Sequence, residues 1–417
     1  MRWNRSRALQ GPLLSVSMLA IAALLGARPA LGAPQAAAAG SGAQAELPPV
    51  ETLHLQDTTV FAAAAPNAYR SGTQCDSEGD AFVQVASLAG VPLRLAPSSS
   101  VSEVIPGHKR IVEYGKSPLS ESDYPHARVS SFGVLPNGEL YALIFTRRDP
   151  SKEKPRPEPE YYVERFKDDG TRDSITPIHA PPGVAHWLAD LLAPFPDGNF
   201  LIAGISTTTK EQPGASSWEP FTAVYDQTGR FLREVTLPHD IANNFNEGDA
   251  GKPTAAARAK AQASPTQASK PRQFFEVAIS TGGVVSGPDE NAWILRASDP
   301  VRLYAVNSAG QVVEHFQFSP PAPGLTPFEF GFAGPGLIFV DFSRPPGSPT
   351  GPTAASGPSE LVGVFNTVSQ RFDALYTLPE EVDKSFSNLA CSDGNGGFLY
   401  FGSTHDRHLA VFDYASR

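Results

Sequence analysis

The chain has 417 residues, with 33 Lys and Arg against 43 Asp and Glu, for a formal net charge of −10. So acidic a chain is repelled by phosphate backbones and anionic lipid surfaces, which argues against a nucleic-acid partner. Gly (36) and Pro (40) exceed their usual joint share of roughly 12%, and the many short β-rich runs between them argue for an all-β chain rather than a helical one.

The first residues read as a processing signal. Arg2, Arg5 and Arg7 give a basic start, an apolar run from Leu13 to Leu25 follows, and small residues come at Ala30, Gly32 and Ala33. A basic segment, a short apolar segment and a small-residue cleavage site define a secretory signal peptide, here residues 1–32. The apolar run is too short to span a bilayer comfortably, and no later stretch is long and apolar enough, so no membrane insertion is expected. Cleavage removes Arg2, Arg5, Arg7 and Arg28 but no acid, which takes the formal charge from −10 to −14. The expected location is the periplasm or the cell exterior. Residues 33–46 are mostly Ala, Gly, Ser and Gln, too poor in apolar bulk to offset ordering entropy, and read as a disordered linker.

From residue 47 onward one pattern recurs. Residues 129–146 (VSSFGVLPNGELYALIFT) and 189–206 (ADLLAPFPDGNFLIAGIS) each hold an apolar strand, a Pro-Asn-Gly or Pro-Asp-Gly turn and a second apolar strand, 60 residues apart. Asn-Gly and Asp-Gly between apolar runs are strong hairpin signals, because both residues tolerate φ > 0. The same unit precedes AFVQVA at Ala81, AWILRA at Ala292, LIFVDF at Leu337 and FLYFGS at Phe398, which makes six copies. A second hairpin follows most copies, most clearly FTAVYDQTGRFLREVTLP from Phe221. Each unit therefore predicts four antiparallel strands, a to d, and a four-stranded unit repeated around an axis is a propeller blade. The expectation is an all-β, six-bladed β-propeller over residues 47–417, with a disordered loop insert at 243–272.

The last unit stops after its c strand, at HLAVFDYASR, while an orphan strand, VETLHLQ, lies at residues 50–56. This N-terminal strand is expected to complete the last blade and close the ring.

The Asp-x-x-Gly turn within Val224-Tyr225-Asp226-Gln227-Thr228-Gly229-Arg230-Phe231, with the turns at Asn137-Gly138 and Asp197-Gly198, resembles the NHL-repeat and related six-bladed propellers. The resemblance covers most of residues 50–417 and implies architecture more than function, since such propellers host binding modules and enzymes alike. It also implies that His near the channel can hold a divalent metal, zinc or calcium. The Glu-Gly-Pro opening of gluconolactonase-type propellers is missing, as are Gly-x-Ser-x-Gly, His-Glu-x-x-His and a phosphate-cradling glycine loop. No catalytic residue can therefore be named.

In a four-stranded blade the b–c and d–a connections emerge on one face. The long segments 147–160, 206–220, 243–272 and 343–359 all fall there, and long loops on a rigid scaffold carry binding. Neutral drift in loop length is the competing reading. His126 and His186 each lie 11 residues before a hairpin turn, so both sit at the start of an innermost strand on that face. Asn67 in the first blade and Ser385, beside Lys384, in the last occupy the same offset. The two histidines either cap strand ends, contact a polar ligand or bind metal, although a catalytic zinc needs three protein ligands. Trp218, on a b–c loop, is a candidate stacking platform, whereas Trp187 and Trp293 read as core. Cys75 and Cys391 end a strands in the first and last blades. They form either a disulfide locking the seam or two buried thiols.

The leading functional expectation is a monomeric, non-enzymatic module binding a protein, peptide or glycan with its long-loop face. The alternative is a metal-assisted lyase or hydrolase using His126 and His186, and a third reading is a structural partner in an envelope complex.

Overall fold

In the computed structural model, residues 47–61, 69–77, 79–86, 100–105, 110–114, 128–146, 159–167, 171–208, 219–237, 283–297, 300–344, 359–379, 388–393, 396–403 and 409–416 are described. The expected signal peptide, linker and 243–272 insert lie outside them. Glu46–Arg417 form one compact unit. Among the described residues there is no helix, and so none long and apolar enough to cross a membrane.

The chain begins with β1 (Val50–Thr52) and β2 (His54–Phe61). The first sheet is β3 (Tyr69–Cys75), β4 (Ala81–Ala86), β5 (Ser100–Ile105) and β6 (Arg110–Tyr114). The second is β7 (Arg128–Val134), β8 (Leu140–Thr146), β9 (Glu160–Phe166) and β10 (Arg172–Ile178). The third is β11 (His186–Pro194), β12 (Phe200–Thr207), β13 (Glu219–Tyr225) and β14 (Phe231–Glu234). The fourth is β15 (Val284–Ser286), β16 (Ala292–Arg296), β17 (Val301–Val306) and β18 (Val312–Phe318). The fifth holds β19 (Thr326–Gly334), β20 (Leu337–Ser343), β21 (Glu360–Asn366) and β22 (Arg371–Thr377). The sixth holds β23 (Asn388–Ser392), β24 (Gly397–Ser403) and β25 (Leu409–Ala415). Apart from β1 and β2, neighbours within each sheet pair antiparallel in chain order, and the sheets form a β-propeller arrangement.

Uniform four-stranded blades are not what the chain builds. Five sheets have four strands and the fifth sheet has five, because β1 joins it by pairing parallel to β22. The N-terminal segment is thus shared between two sheets. Residues 50–52 lie along β22, and only from His54 onward does the chain pair antiparallel with β25 and complete the sixth sheet. The expectation that 50–56 as a whole belongs to the last sheet is corrected accordingly. The cause is Leu53. Its side chain is 0% exposed and packs with Leu378, Leu389 and Tyr376, while its N–H donates to the Thr377 carbonyl at 2.9 Å. Burying that side chain pins the crossing point between the sheets.

Six apolar clusters lie between consecutive sheets, and each draws on two of them. Leu143 and Tyr161 of the second sheet meet Trp187 and Phe200 of the third, a region in which Trp187 is core as expected. Val224 and Leu237 meet Ile294 and Tyr304, and Trp293 and Phe316 meet Phe330 and Phe365. The last link joins Phe401 and Val411 of the sixth sheet to Ala81 and Val83 of the first. Alternation within each strand sends side chains to both sheet faces, so each sheet contributes to two clusters.

The innermost strands are also laced by side-chain hydrogen bonds. Gln74 donates to the Phe132 carbonyl at 2.8 Å and accepts from the Val134 N–H at 3.0 Å. Thr73 donates to the Leu389 carbonyl at 2.6 Å, and Ser286 to that of Pro194 at 2.7 Å. These bonds satisfy backbone groups on the inner sheet edges, which have no further strand to pair with.

The hairpin turns differ in detail from the sequence reading. In the pairs Asn137-Gly138 and Asp197-Gly198, only the glycines (φ 86° and 87°) are left-handed. Asn137 and Asp197 instead use their side-chain oxygens to accept from the N–H groups of Glu139 (3.2 Å) and Asn199 (2.9 Å). This is the Asx-turn role of these residues.

Replacing Leu53 by Ala is expected to destabilise the unit by about 2–5 kcal/mol, the range for emptying a well-packed site. Thermal unfolding of Leu53→Ala beside Val50→Ala, whose side chain is exposed, would measure it. Equal midpoints would show that Leu53 does not pin the segment.

Candidate functional site at the b–c end

Antiparallel pairing puts the β8–β9, β12–β13 and β20–β21 connections at one end of their sheets, with β10–β11 and β14–β15. The a–b and c–d connections at the other end are tight, as at Leu135–Glu139, Phe195–Asn199 and Asp226–Arg230. The two ends differ chemically. Six polar or charged side chains are buried among the described residues: Thr146, Glu164, Thr207, Thr222, Asp341 and Glu360. Glu164 lies toward the opposite end and Thr222 at mid-strand, whereas Thr146, Thr207 and Glu360 lie at the b–c end of their strands and Asp341 in the half nearer to it. Charged side chains are seldom buried without compensation, so their concentration there marks it as special. The other end carries solvent-facing pairs such as Arg165–Glu139 (2.9 Å) and Arg230–Asp226 (3.3 Å), worth little to stability. Burial alone would raise the Asp226 carboxyl, but hydrogen bonds from Thr228 and Arg230, with the Arg230 charge, hold it below its ordinary value.

Four of the six inner strands share one form of local irregularity. Pairing shifts between Val129 and Ser131 in β7, Ala189 and Leu191 in β11, Pro327 and Glu329 in β19, and Leu389 and Cys391 in β23. Each bulge inserts one residue, respectively Ser130, Asp190, Phe328 and Ala390. Bulges re-aim side chains and are over-represented next to functional sites. Ser130 donates to the Leu143 carbonyl at 3.2 Å, while Phe328 is 45% exposed on an innermost strand, which is unusual for so large an apolar side chain.

The densest polar group lies between the fifth and sixth sheets. Glu329 and Asp341 are direct partners across β19 and β20. Glu360 opposes Ser343, two residues beyond Asp341 on the same side of the sheet. Facing them is Tyr400 of β24, 1% exposed and edge-on to Tyr414 with ring centroids 5.6 Å apart. Burial first, then the carboxyls of Asp341, Glu360 and Glu329, push the Tyr400 hydroxyl well above the usual phenol value. It therefore stays protonated and keeps a proton to donate. Its oxygen is buried with no hydrogen-bond partner. At the third and fourth sheets the same end is bridged by Arg296, which donates to the Thr222 hydroxyl at 3.3 Å. A separate crevice of about 170 Å³ lies against β13 and β14, lined by Pro181, Pro182, Phe221 and Glu234 among others.

Of the residues singled out in the sequence, His186 opens β11 as the partner of Thr207 and is half-buried. His126, Asn67, Lys384, Ser385 and Trp218 lie outside the described residues. Trp293 packs between sheets, stacked on Phe316 with centroids 5.9 Å apart, and donates its ring N–H to Asp289 at 3.0 Å. No group of three or more His, Cys, Asp or Glu that could hold a metal ion occurs among the described residues. Cys75 and Cys391 are joined as a disulfide, with Cα atoms 5.7 Å apart. Glu329, Asp341, Glu360 and Tyr400 were missed in the sequence. The available signal was a carboxylate inside apolar runs, Asp341 in LIFVDF and Glu329 in FEFGF.

No family model matches the chain, and no curated protein matches it. Solved structures do. A luciferin-regenerating enzyme aligns over 86% of this chain and 95% of its own, at 9% identity and a TM-score of 0.42. A Hadza microbial sialidase aligns over 82% and 64%, at 11% identity and a TM-score of 0.46. An alpha-L-arabinanase of Penicillium chrysogenum, complexed with arabinobiose, aligns over 88% and 97%, at 11% identity and a TM-score of 0.40.

Reducing the disulfide, or making the Cys75→Ala/Cys391→Ala double variant, is expected to cost about 2–5 kcal/mol, because the bridge closes a loop of sequence separation 316. Denaturant unfolding with and without reductant measures this. Coincident curves would remove the bridge from the account of how the seam is held.

Proposed function

We propose that the chain is an exported, six-bladed propeller of NHL-repeat type that acts as a binding module through its b–c end, taking a protein, peptide or glycan ligand. The observation that carries this reading is the gathering of buried polar side chains, long connections and inner-strand bulges at one end of the sheets. A scaffold with no binding task has no physical reason to collect desolvated carboxylates and an exposed Phe328 on the same side. Export is supported by the basic-apolar-small N-terminus and by the Cys75–Cys391 disulfide, a bond that persists in oxidising compartments.

A second reading, hydrolysis by an acid–base pair at the same end, is favoured by one feature. Glu329 and Asp341 are strand partners, which sets two carboxyl groups side by side, and carboxyl pairs in different environments can divide the roles of acid and base. The metal-assisted form of this reading rests on His126 and His186 alone.

Immobilised full-length protein should retain a component of a native envelope or secreted fraction. Replacing residues 209–218, which join β12 and β13, by a short Gly-Ser linker should abolish retention with little loss of stability. Retention unchanged in that variant, with residues 147–158 replaced as well, would overturn binding by the b–c end. Hydrolysis, if present, should be lost in both Glu329→Gln and Asp341→Asn.

A further inference from the structure

We infer that the wedge between the fifth and sixth sheets recognises a polyhydroxylated ligand, a carbohydrate, and that Tyr400, Glu329 and Phe328 set its specificity. This rests on the b–c end being the binding face, and it names the ligand chemistry which that reading leaves open.

The argument is one of donors and acceptors. One wall of the wedge carries three carboxyl groups, Glu329 and Asp341 as strand partners and Glu360 on the same side of the adjoining strand. A carboxylate offers about four lone-pair sites, so these groups can accept further hydrogen bonds beyond those they already make. The opposite wall carries Tyr400, whose hydroxyl is kept protonated and is buried without a partner. A buried polar group left unsatisfied costs about 1–3 kcal/mol, which makes Tyr400 a standing demand for an acceptor. Another orphan hydroxyl, Tyr141 in the second sheet, has Arg165 5.6 Å over its ring, and two of the three carboxyls around it, Glu139 and Asp173, are already paired with that arginine.

A guest must therefore accept from Tyr400 and donate to carboxylates. Ammonium and guanidinium groups donate only, so they leave Tyr400 unsatisfied. Phosphate, sulfate and ionised carboxylate accept, but they meet three negative neighbours. Alcohols and amides do both, but vicinal hydroxyls each donate and accept through one atom and do so at several adjacent points at once, whereas an amide splits the two roles between its N–H and its C=O. The second requirement is an apolar surface for the C–H face of a sugar ring. Phe328 provides it, 45% exposed at a bulge and immediately next to Glu329 in the chain. Mostly apolar walls with a few convergent polar groups are the general make-up of small-molecule sites.

Calorimetric titration of the full chain with a panel of neutral gluco-, xylo-, galacto- and arabino-oligosaccharides, with oligolysine and polyphosphate as comparators, tests this. At least one oligosaccharide should bind saturably. Tyr400→Phe should weaken it ten-fold or more while the unfolding temperature stays the same or rises, since the variant removes only an unsatisfied hydroxyl. Glu329→Gln and Phe328→Ala should weaken it comparably. The inference is overturned if no oligosaccharide in the panel binds, if Tyr400→Phe leaves the affinity unchanged, or if oligolysine binds more tightly in a Glu329-dependent way. Should the 209–218 replacement abolish retention of a native component while Tyr400→Phe changes neither retention nor sugar binding, the b–c end remains the binding face and only the carbohydrate inference fails.

Discussion

Every sheet in this protein has two apolar faces, and the chain can cover all of them only if the last sheet meets the first. That closure constraint governs the rest. Five of the inter-sheet clusters form between sheets that follow one another in the chain, so each costs little loop entropy. The sixth joins residues near 81 to residues near 391–411 and must close almost the whole chain. It is also built mostly from small side chains, Ala81, Val83, Ala390, Cys391 and Val411, with Phe401 the one large fully buried contributor among the described residues and Leu399 partly buried against them. Apolar burial at roughly 25 cal/mol per Å² therefore stabilises it less than its neighbours. Extra fastenings gather at this seam. Thr73 bonds to Leu389 and Cys75 to Cys391 across it, while the two-sheet strap of β1 and β2 ties the sixth sheet to the fifth on its other side.

Closure then fixes where chemistry can sit. Sheets held on both faces have no freedom to open, so variation is confined to the sheet ends. At the a–b and c–d end the chain turns in a few residues, and side chains such as Asp226 and Asn307 are occupied in bonding their own turns. At the b–c end the connections are longer and the strand termini are polar. The bulges of the inner strands add to this asymmetry. Each inserts one residue between paired positions, at a place where the closed scaffold cannot move away from it.

Much of the fold could be read from the sequence, because turns and alternation are local. The Pro-Asn-Gly and Pro-Asp-Gly hairpins and the order of strands follow from residues within a few positions of one another, and the completion of the sixth sheet follows from strand counting, since the last unit lacks one strand and the N-terminal segment has one to spare. The division of that strand at Leu53 did not, since a parallel pairing between residue 50 and residue 375 leaves no periodic trace in either segment. The candidate site was less legible for a related reason. His126 and His186 attracted attention through their register, a one-dimensional signal, whereas Glu329, Asp341, Glu360 and Tyr400 become neighbours only when two sheets pack. Asp341 in LIFVDF could have been noticed as a charge in an otherwise apolar strand, but nothing in its own segment says that a tyrosine 59 positions later faces it.

The wedge also bears on how the stability of this ring is distributed. Leu143 of β8 and Leu399 of β24 hold the places in their sheets that Asp341 holds in β20, and both lie in apolar clusters against the next sheet. A leucine at 341 would be the consistent choice for folding, since a buried carboxylate loses hydration that packing alone cannot replace. The chain nonetheless sets a carboxylate there, opposite a tyrosine whose hydroxyl is unsatisfied. Departures from local consistency of this kind are expected where a structure serves a site rather than its own stability. The fifth sheet is also the one that receives the additional strand β1 and the Leu53 anchor. The interface weakened by polar residues at its b–c end is thus reinforced along its outer edge, which lets a desolvated polar wedge persist within a closed ring.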